Sequence, residues 1–175
     1  MNQPILVCNR QRNRRVNLRL LRRAALVLLR ELLHLDQFCL AIHLVETNEI
    51  VRLNEGFLRH KGSTDVISFD YAERRVRSPK PAKAHAMIEG EIFICLEEAV
   101  SQARRFRVSW QRELARYLIH GVLHLCGYND LREGPRRRMK LEENRLLEEL
   151  GHKVPLAELA KPTARSPNEK TVRNA

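Results

Sequence analysis

Two hydrophobic patterns take turns along the chain. "PILVCNRQ" alternates weakly and predicts a first strand, and "NLRLLRRAALVLLRELL" follows with Leu18, Leu21, Ala25, Leu28, Leu29 and Leu32 at helical spacing. In "FCLAIHLVE", Leu40, Ile42 and Leu44 fall on one side of a predicted strand, with Ala41, His43 and Val45 on the other. "TNEIVRLNEGFLRH" predicts a helix capped by Thr47, with Ile50, Leu53 and Phe57 on its apolar face and Gly62 as a breaker. "DVISFDYA" and "EIFICLEE" predict two more strands, separated by the loop "RRVRSPKPAKAHAM". "EEAVSQARRFRVS" predicts a short helix. "SWQRELARYLIHGVLHL" predicts a helix capped by Ser109 and ended by Gly127. "PRRRMKLEENRLLEELG" predicts the last, opened by Pro135 and closed by Gly151.

Four strands and about five helices in mixed order imply an α+β fold, with a small mixed four-stranded sheet packed with helices. No internal repeat interrupts it. A single domain is expected over residues 1–154. From Pro155 the chain, "PLAELAKPTARSPNEKTVRNA", turns polar and proline-bearing, so residues 155–175 are expected to form a disordered basic tail.

The chain is strongly basic. The 175 residues carry a net charge of +11. The run from Arg10 to Arg23 holds seven arginines and no acid, and "ERRVRSPKPAK" and "REGPRRRMK" add further basic runs. Together they imply an anionic partner, with nucleic acid the first candidate. Aromatics are 5% of the chain, so phosphate contacts are expected to carry most of the affinity. No apolar stretch is long enough to span a membrane, and the start lacks the order of a signal peptide, so the expected location is cytoplasmic. Cys8, Cys39, Cys95 and Cys126 sit singly among apolar neighbours and read as small core residues, neither a disulfide frame nor a thiolate zinc site.

The candidate chemistry lies in "HGVLHLCGYND", residues 120–130. Four residues apart on a helix, His120 and His124 point at one place. Gly127 can end the helix in the left-handed conformation, and the returning chain brings Asp130 near. Two imidazoles and a carboxylate leave one position open on a tetrahedral zinc, the arrangement of a catalytic site at the end of a central helix. One zinc per chain is expected. A peptidase of the HExxH kind needs Glu directly after the first His, and Gly121 stands there. Glu113, two turns before His120 on the same face, reads first as a surface residue and otherwise as a support of the site from behind its ligands.

With these residues the chain resembles the YbeY family of bacterial zinc-dependent endoribonucleases. "HGVLHLCGYND" is similar to the family's HGxLHLxGYDH, "LNEGFLRHKGSTDVISF" to LNxxyRxxxxxTDVLSF, and "GEIFIC" to GDIxIC. The likeness covers roughly residues 5–150. It implies a single-strand endoribonuclease acting on ribosomal RNA, in maturation of the small-subunit RNA and in ribosome quality control, with the small ribosomal subunit as a partner. It also implies a catalytic arginine. Counted strictly, that position is Leu58, and the arginine stands one place later, at Arg59, the catalytic candidate here. The pattern's third His is Asp130, to which the metal role is carried. Asp65 and Ser68 of "TDVISF" either line the cleft or shape the turn into the strand. The rival functions are a ribosome-assembly RNA-binding factor without chemistry and, less favoured because of Gly121, a metallopeptidase.

Overall fold

The four alternating segments join one sheet in the computed structural model, which describes residues 4–58, 62–72 and 87–161. The strands are β1 (Ile5–Asn9), β2 (Phe38–Val45), β3 (Val66–Asp70) and β4 (Ile88–Cys95). Their order is β1-β2-β4-β3. β1, β2 and β4 run parallel, and β3 is antiparallel to β4 at one edge. The expected small mixed sheet is therefore present. The parallel pairs need crossovers, and helices supply them. α1 (Leu18–Leu26), prolonged by wide π-helical turns over Val27–Leu32, links β1 to β2. α2 (Thr47–Leu53), prolonged over Asn54–Leu58, leads towards β3. α3 (Leu96–Phe106), α4 (Trp110–Leu125) and α5 (Glu133–Lys153) follow β4.

Leu40, Ile42 and Leu44 of β2 and Ile92 and Ile94 of β4 are all but inaccessible, in one core with Leu21 and Leu28 of the first helix and Leu114 and Leu118 of α4. Burial of this apolar area is the main stabilising term. The opposite face holds a smaller cluster of Val45, Ile50, Ile67, Phe93 and Cys95. There His43 lies stacked on Phe93, with ring centroids 4.4 Å apart.

Local chemistry explains where the boundaries differ from the pattern. β4 begins at Ile88, three residues before the predicted Glu91, because Gly90 is an inward position that cannot look apolar. A Cβ there would lie 2.5 Å from the Phe69 carbonyl oxygen and 2.9 Å from Leu125 Cδ2. Ser109 caps α4 as expected, its hydroxyl accepting from the Arg112 N–H at 3.3 Å. Thr47 is not the cap of α2. Glu46 holds that position, and Thr47 turns its hydroxyl to the Glu97 carboxylate. α5 begins two residues before Pro135, which sits in the first turn where its missing N–H is not needed. Of the four free cysteines only Cys95 is buried. Cys8 and Cys39 are half-buried and Cys126 is exposed, so the core reading holds for one of them.

The boundary at residue 154 is corrected as well. Residues 155–161, expected in a disordered tail, pack onto the domain. Leu156–Leu159 form a 3-10 turn that buries Leu156 and Leu159. The Asn17 N–H donates to the Leu159 carbonyl at 2.8 Å, and the Lys161 N–H to that of Arg15 at 3.0 Å. Two leucines at one-turn spacing anchor a segment whose composition is otherwise polar. Residues 162–175 lie outside the described residues.

Candidate metal centre

α4 packs against the sheet through a residue with no side chain. A Cβ on Gly121 would lie 2.7 Å from Ile92 Cγ2 and 3.2 Å from Ser68 Oγ. The Ser68 hydroxyl donates to the Gly121 carbonyl at 3.2 Å, which ties β3 to the helix. Glycine therefore stands after His120 because the helix touches the sheet there, and the glutamate of an HExxH site has no room. Ser68 proves to be a packing residue. Asp65 lines the cleft and also accepts from the Val66 N–H at 3.0 Å, so it fills both of the roles open to it.

Advancing about 100° per residue, Glu113, Arg116, His120 and His124 share one stripe about 80° wide on α4. Gly127, at φ +86°, ends the helix. Its N–H donates to the His124 carbonyl at 2.9 Å, and that of Tyr128 to the Leu123 carbonyl at 3.0 Å, a Schellman closure. The turn returns the chain beneath the histidines. Asn129 Oδ1 accepts from the Leu131 N–H at 2.7 Å, and Arg136 Nε donates to the Asp130 carbonyl at 2.8 Å. Asp130 Oδ2 comes to 3.8 Å from Nε2 of both His120 and His124. The three residues expected to form the site are thus brought together, their ligand atoms within 4.8 Å of one another. Arg59 lies outside the described residues.

The outer nitrogens of the two rings define the tautomers. His120 Nδ1 is 3.0 Å from Glu143 Oε2, and His124 Nδ1 is 3.1 Å from the Tyr128 carbonyl oxygen. Both oxygens are acceptors, so each Nδ1 carries the proton and each Nε2 presents a lone pair. Those two nitrogens stand 3.0 Å apart, beside a carboxylate. Two lone pairs and a negative oxygen converging on one point repel each other, and a cation among them removes the repulsion. The donor set therefore fits a divalent metal taking nitrogen and oxygen ligands. Burial, then the neighbouring His120, hold the His124 imidazole below the usual histidine range against the opposing pull of Asp130. A ring neutral at pH 7 is the form a ligand needs.

Behind His120 stands a buried ionic network. Glu143 of α5 is 4% exposed, so its charge needs partners. Arg116 Nη1 and Lys140 Nζ each donate to its Oε1 at 2.7 Å. Burial pushes the Glu143 carboxyl up, but the hydrogen bonds from His120, Lys140 and Arg116 more than reverse this and leave it at about 2. Arg116 also reaches Glu113 at 3.2 Å. Glu113 is buried, not a surface residue, and this guanidinium meets its charge. Glu143 was missed from the sequence. Its one signal is its place on the apolar stripe of α5, four residues after Met139 and three before Leu146, both buried.

The stripe opens into a cleft of about 490 Å³ between the start of β3, α3, α4 and α5. His120 and Asp130 lie in its wall together with Asp65, Phe106 and Arg136.

Against this geometry the comparisons with known proteins are specific. The family described as Endoribonuclease YbeY matches residues 6–151. Among curated relatives, the Endoribonuclease YbeY of Phocaeicola vulgatus is 39% identical over 57% of this chain and 64% of its own length. That of Chlorobium luteolum is 40% identical over 57% of this chain and likewise 64% of its own length. The chain thus spans about two thirds, 64%, of these relatives. The solution structure of a Thermotoga maritima protein superposes with a TM-score of 0.58 at 24% identity, covering 93% of this chain and all of that one, and shares the fold. With a family match over nearly the whole folded region, the chain belongs to the Endoribonuclease YbeY family.

Proposed function

We propose that the protein is a zinc-dependent endoribonuclease that cuts single-stranded ribosomal RNA in the cytoplasm, in maturation of the small-subunit RNA and in ribosome quality control. The observation that carries this reading is the convergence of His120, His124 and Asp130 on one point in the wall of a cleft, within the region the family matches. The family name supplies the reaction class. The charge of +11 suits an RNA partner such as the small ribosomal subunit.

His120, His124 and Asp130 would hold one zinc. When bound, the metal supplies Lewis acidity, which acidifies water and offsets charge on phosphoryl oxygens. The protein's own part is positioning. Glu143 and the Tyr128 carbonyl fix the imidazole tautomers, so both lone pairs stay aimed inward. Asp130 adds a negative charge where the family pattern has a neutral imidazole, so the site should acidify water less than a three-histidine one. Arg59 is assigned to the pentavalent phosphorus, where a guanidinium can hold two oxygens of the developing charge.

The test is cleavage of a single-stranded small-subunit RNA fragment by the purified chain, with chelator and after readdition of zinc. Cleavage abolished by chelator and restored by zinc supports the reading. RNA binding without cleavage, unchanged by chelator, would instead identify a ribosome-assembly factor without chemistry.

A further inference from the structure

The cleft has a wall that the metal site does not explain. Phe106, the last residue of α3, is 63% exposed and lines the same cleft as His120 and Asp130. It takes no part in the core cluster. Arg107 follows in the left-handed conformation, at φ +57°, and ends the helix there. The neighbours Arg104, Arg105 and Arg107 are all exposed, and the Arg105 guanidinium lies 5.7 Å from the Phe106 ring centroid. An exposed ring among cations suits a π-faced anion rather than an apolar surface.

On α4 and α5 the cleft cations differ in how their charge is met. Arg116 pairs with Glu113 and Glu143, and Lys140 pairs with Glu143. Among the described residues the Arg136 side chain donates to a neutral carbonyl, that of Asp130, through Nε. Among the described residues it is the cation of this wall whose charge no carboxylate meets. Its anchor is the turn that carries a metal-centre residue, which fixes its place beside that centre.

We propose that Phe106 and Arg136 form a two-point grip on one nucleotide of single-stranded RNA, the base stacked on Phe106 and a backbone phosphate held by Arg136. The proposal rests on the RNA reading above and deepens it. A duplex keeps its base faces stacked inside and cannot offer one to Phe106. An unpaired strand offers base and phosphate together. The cleft of about 490 Å³ is the size of a site that holds a small ligand. Single-strand preference thus follows from one ring at the cleft wall.

The experiment measures binding of a short single-stranded 2′-O-methyl RNA oligonucleotide to the zinc-loaded full chain by fluorescence anisotropy. An abasic site is placed at each position in turn. With the parent protein, one abasic position should lower affinity about tenfold, the size of a single base–aromatic stack. In Phe106→Ala that penalty should vanish, and Phe106→Trp should restore it. Arg136→Gln should keep the abasic penalty but reduce the slope of log affinity against log salt by about 0.7, one single-strand phosphate. Both side chains are exposed, and thermal melts will show that the variants fold. The same abasic penalty in parent and Phe106→Ala, or an unchanged salt slope in Arg136→Gln, would overturn the grip. Cleavage of unmodified RNA is scored separately. A chain that grips but does not cut contradicts only the nuclease reading, and one that cuts without the grip contradicts only this proposal.

Discussion

The side of α4 that meets the sheet and the side that meets α5 make opposite demands on a residue. On the first, Gly121 and Leu125 touch Ile92 and Gly90, and even one added carbon collides. The Ser68 hydroxyl reaches this side and donates to the Gly121 carbonyl. On the second, Glu113, Arg116, His120 and His124 reach outward, and each is answered by a charge or a hydrogen bond. One helix thus carries stability on one side and chemistry on the other, and substitutions should separate the two.

The largest effect belongs to the sheet side. Gly121→Glu creates the sequence of an HExxH site but forces a carboxylate into the contact with Ile92. It should cost roughly 4 kcal/mol or more, through overpacking and burial of an unpaired charge. Thermal melting checks this, and a parent-like melt would mean that α4 does not rest on the sheet as described.

On the other side the effect moves from folding to metal. Glu143→Gln keeps the shape and an oxygen for Arg116 and Lys140. Its amide N–H₂ then faces His120 Nδ1 and favours the tautomer that points Nε2–H at the metal. Zinc affinity should fall about 10- to 100-fold, the usual weight of a group that orients a ligand. Titration against a competing chelator measures it. Unchanged affinity would mean that His120 is aligned without Glu143.

A carboxylate away from both sides sets the baseline for pairing alone. Glu97 at the start of α3 accepts from the Thr47 hydroxyl and N–H and from Asn13 Nδ2, and these bonds, the Thr47 hydroxyl first, lower its pKa. Because the folded value is depressed, the stabilisation is complete above the unfolded value of about 4.3 and fades as pH falls through the folded one. Glu97→Gln should therefore cost about 1 kcal/mol at pH 7, with the gap to the parent closing progressively below about pH 4. Melts of both proteins across that range check it. A gap of constant size would assign the effect to packing.

What the sequence made legible was local. The His120–His124 spacing, the glycine that ends the helix and the carboxylate just beyond it all lie within residues 120–130, where helix geometry alone sets direction. The strand alternation likewise gave the sheet, except at Gly90, where close approach of Phe69 and Leu125 replaced the apolar signal. What stayed hidden was tertiary. Glu143 reaches His120 from 23 residues away, and Glu113 is buried with its carboxylate paired to Arg116. Leu156 and Leu159 return to the domain from a segment whose composition reads as tail.

The most direct test of the account is the metal content of the purified chain and of His120→Ala, His124→Ala and Asp130→Ala, each measured beside its melting curve. The parent should carry about one zinc per chain. Each variant should lose most of it while still unfolding cooperatively, because His120 and His124 lie on the side of α4 turned away from the sheet, Asp130 lies in the turn beyond it, and none of the three belongs to the core cluster. Zinc retained at the parent level in both histidine variants would contradict the site.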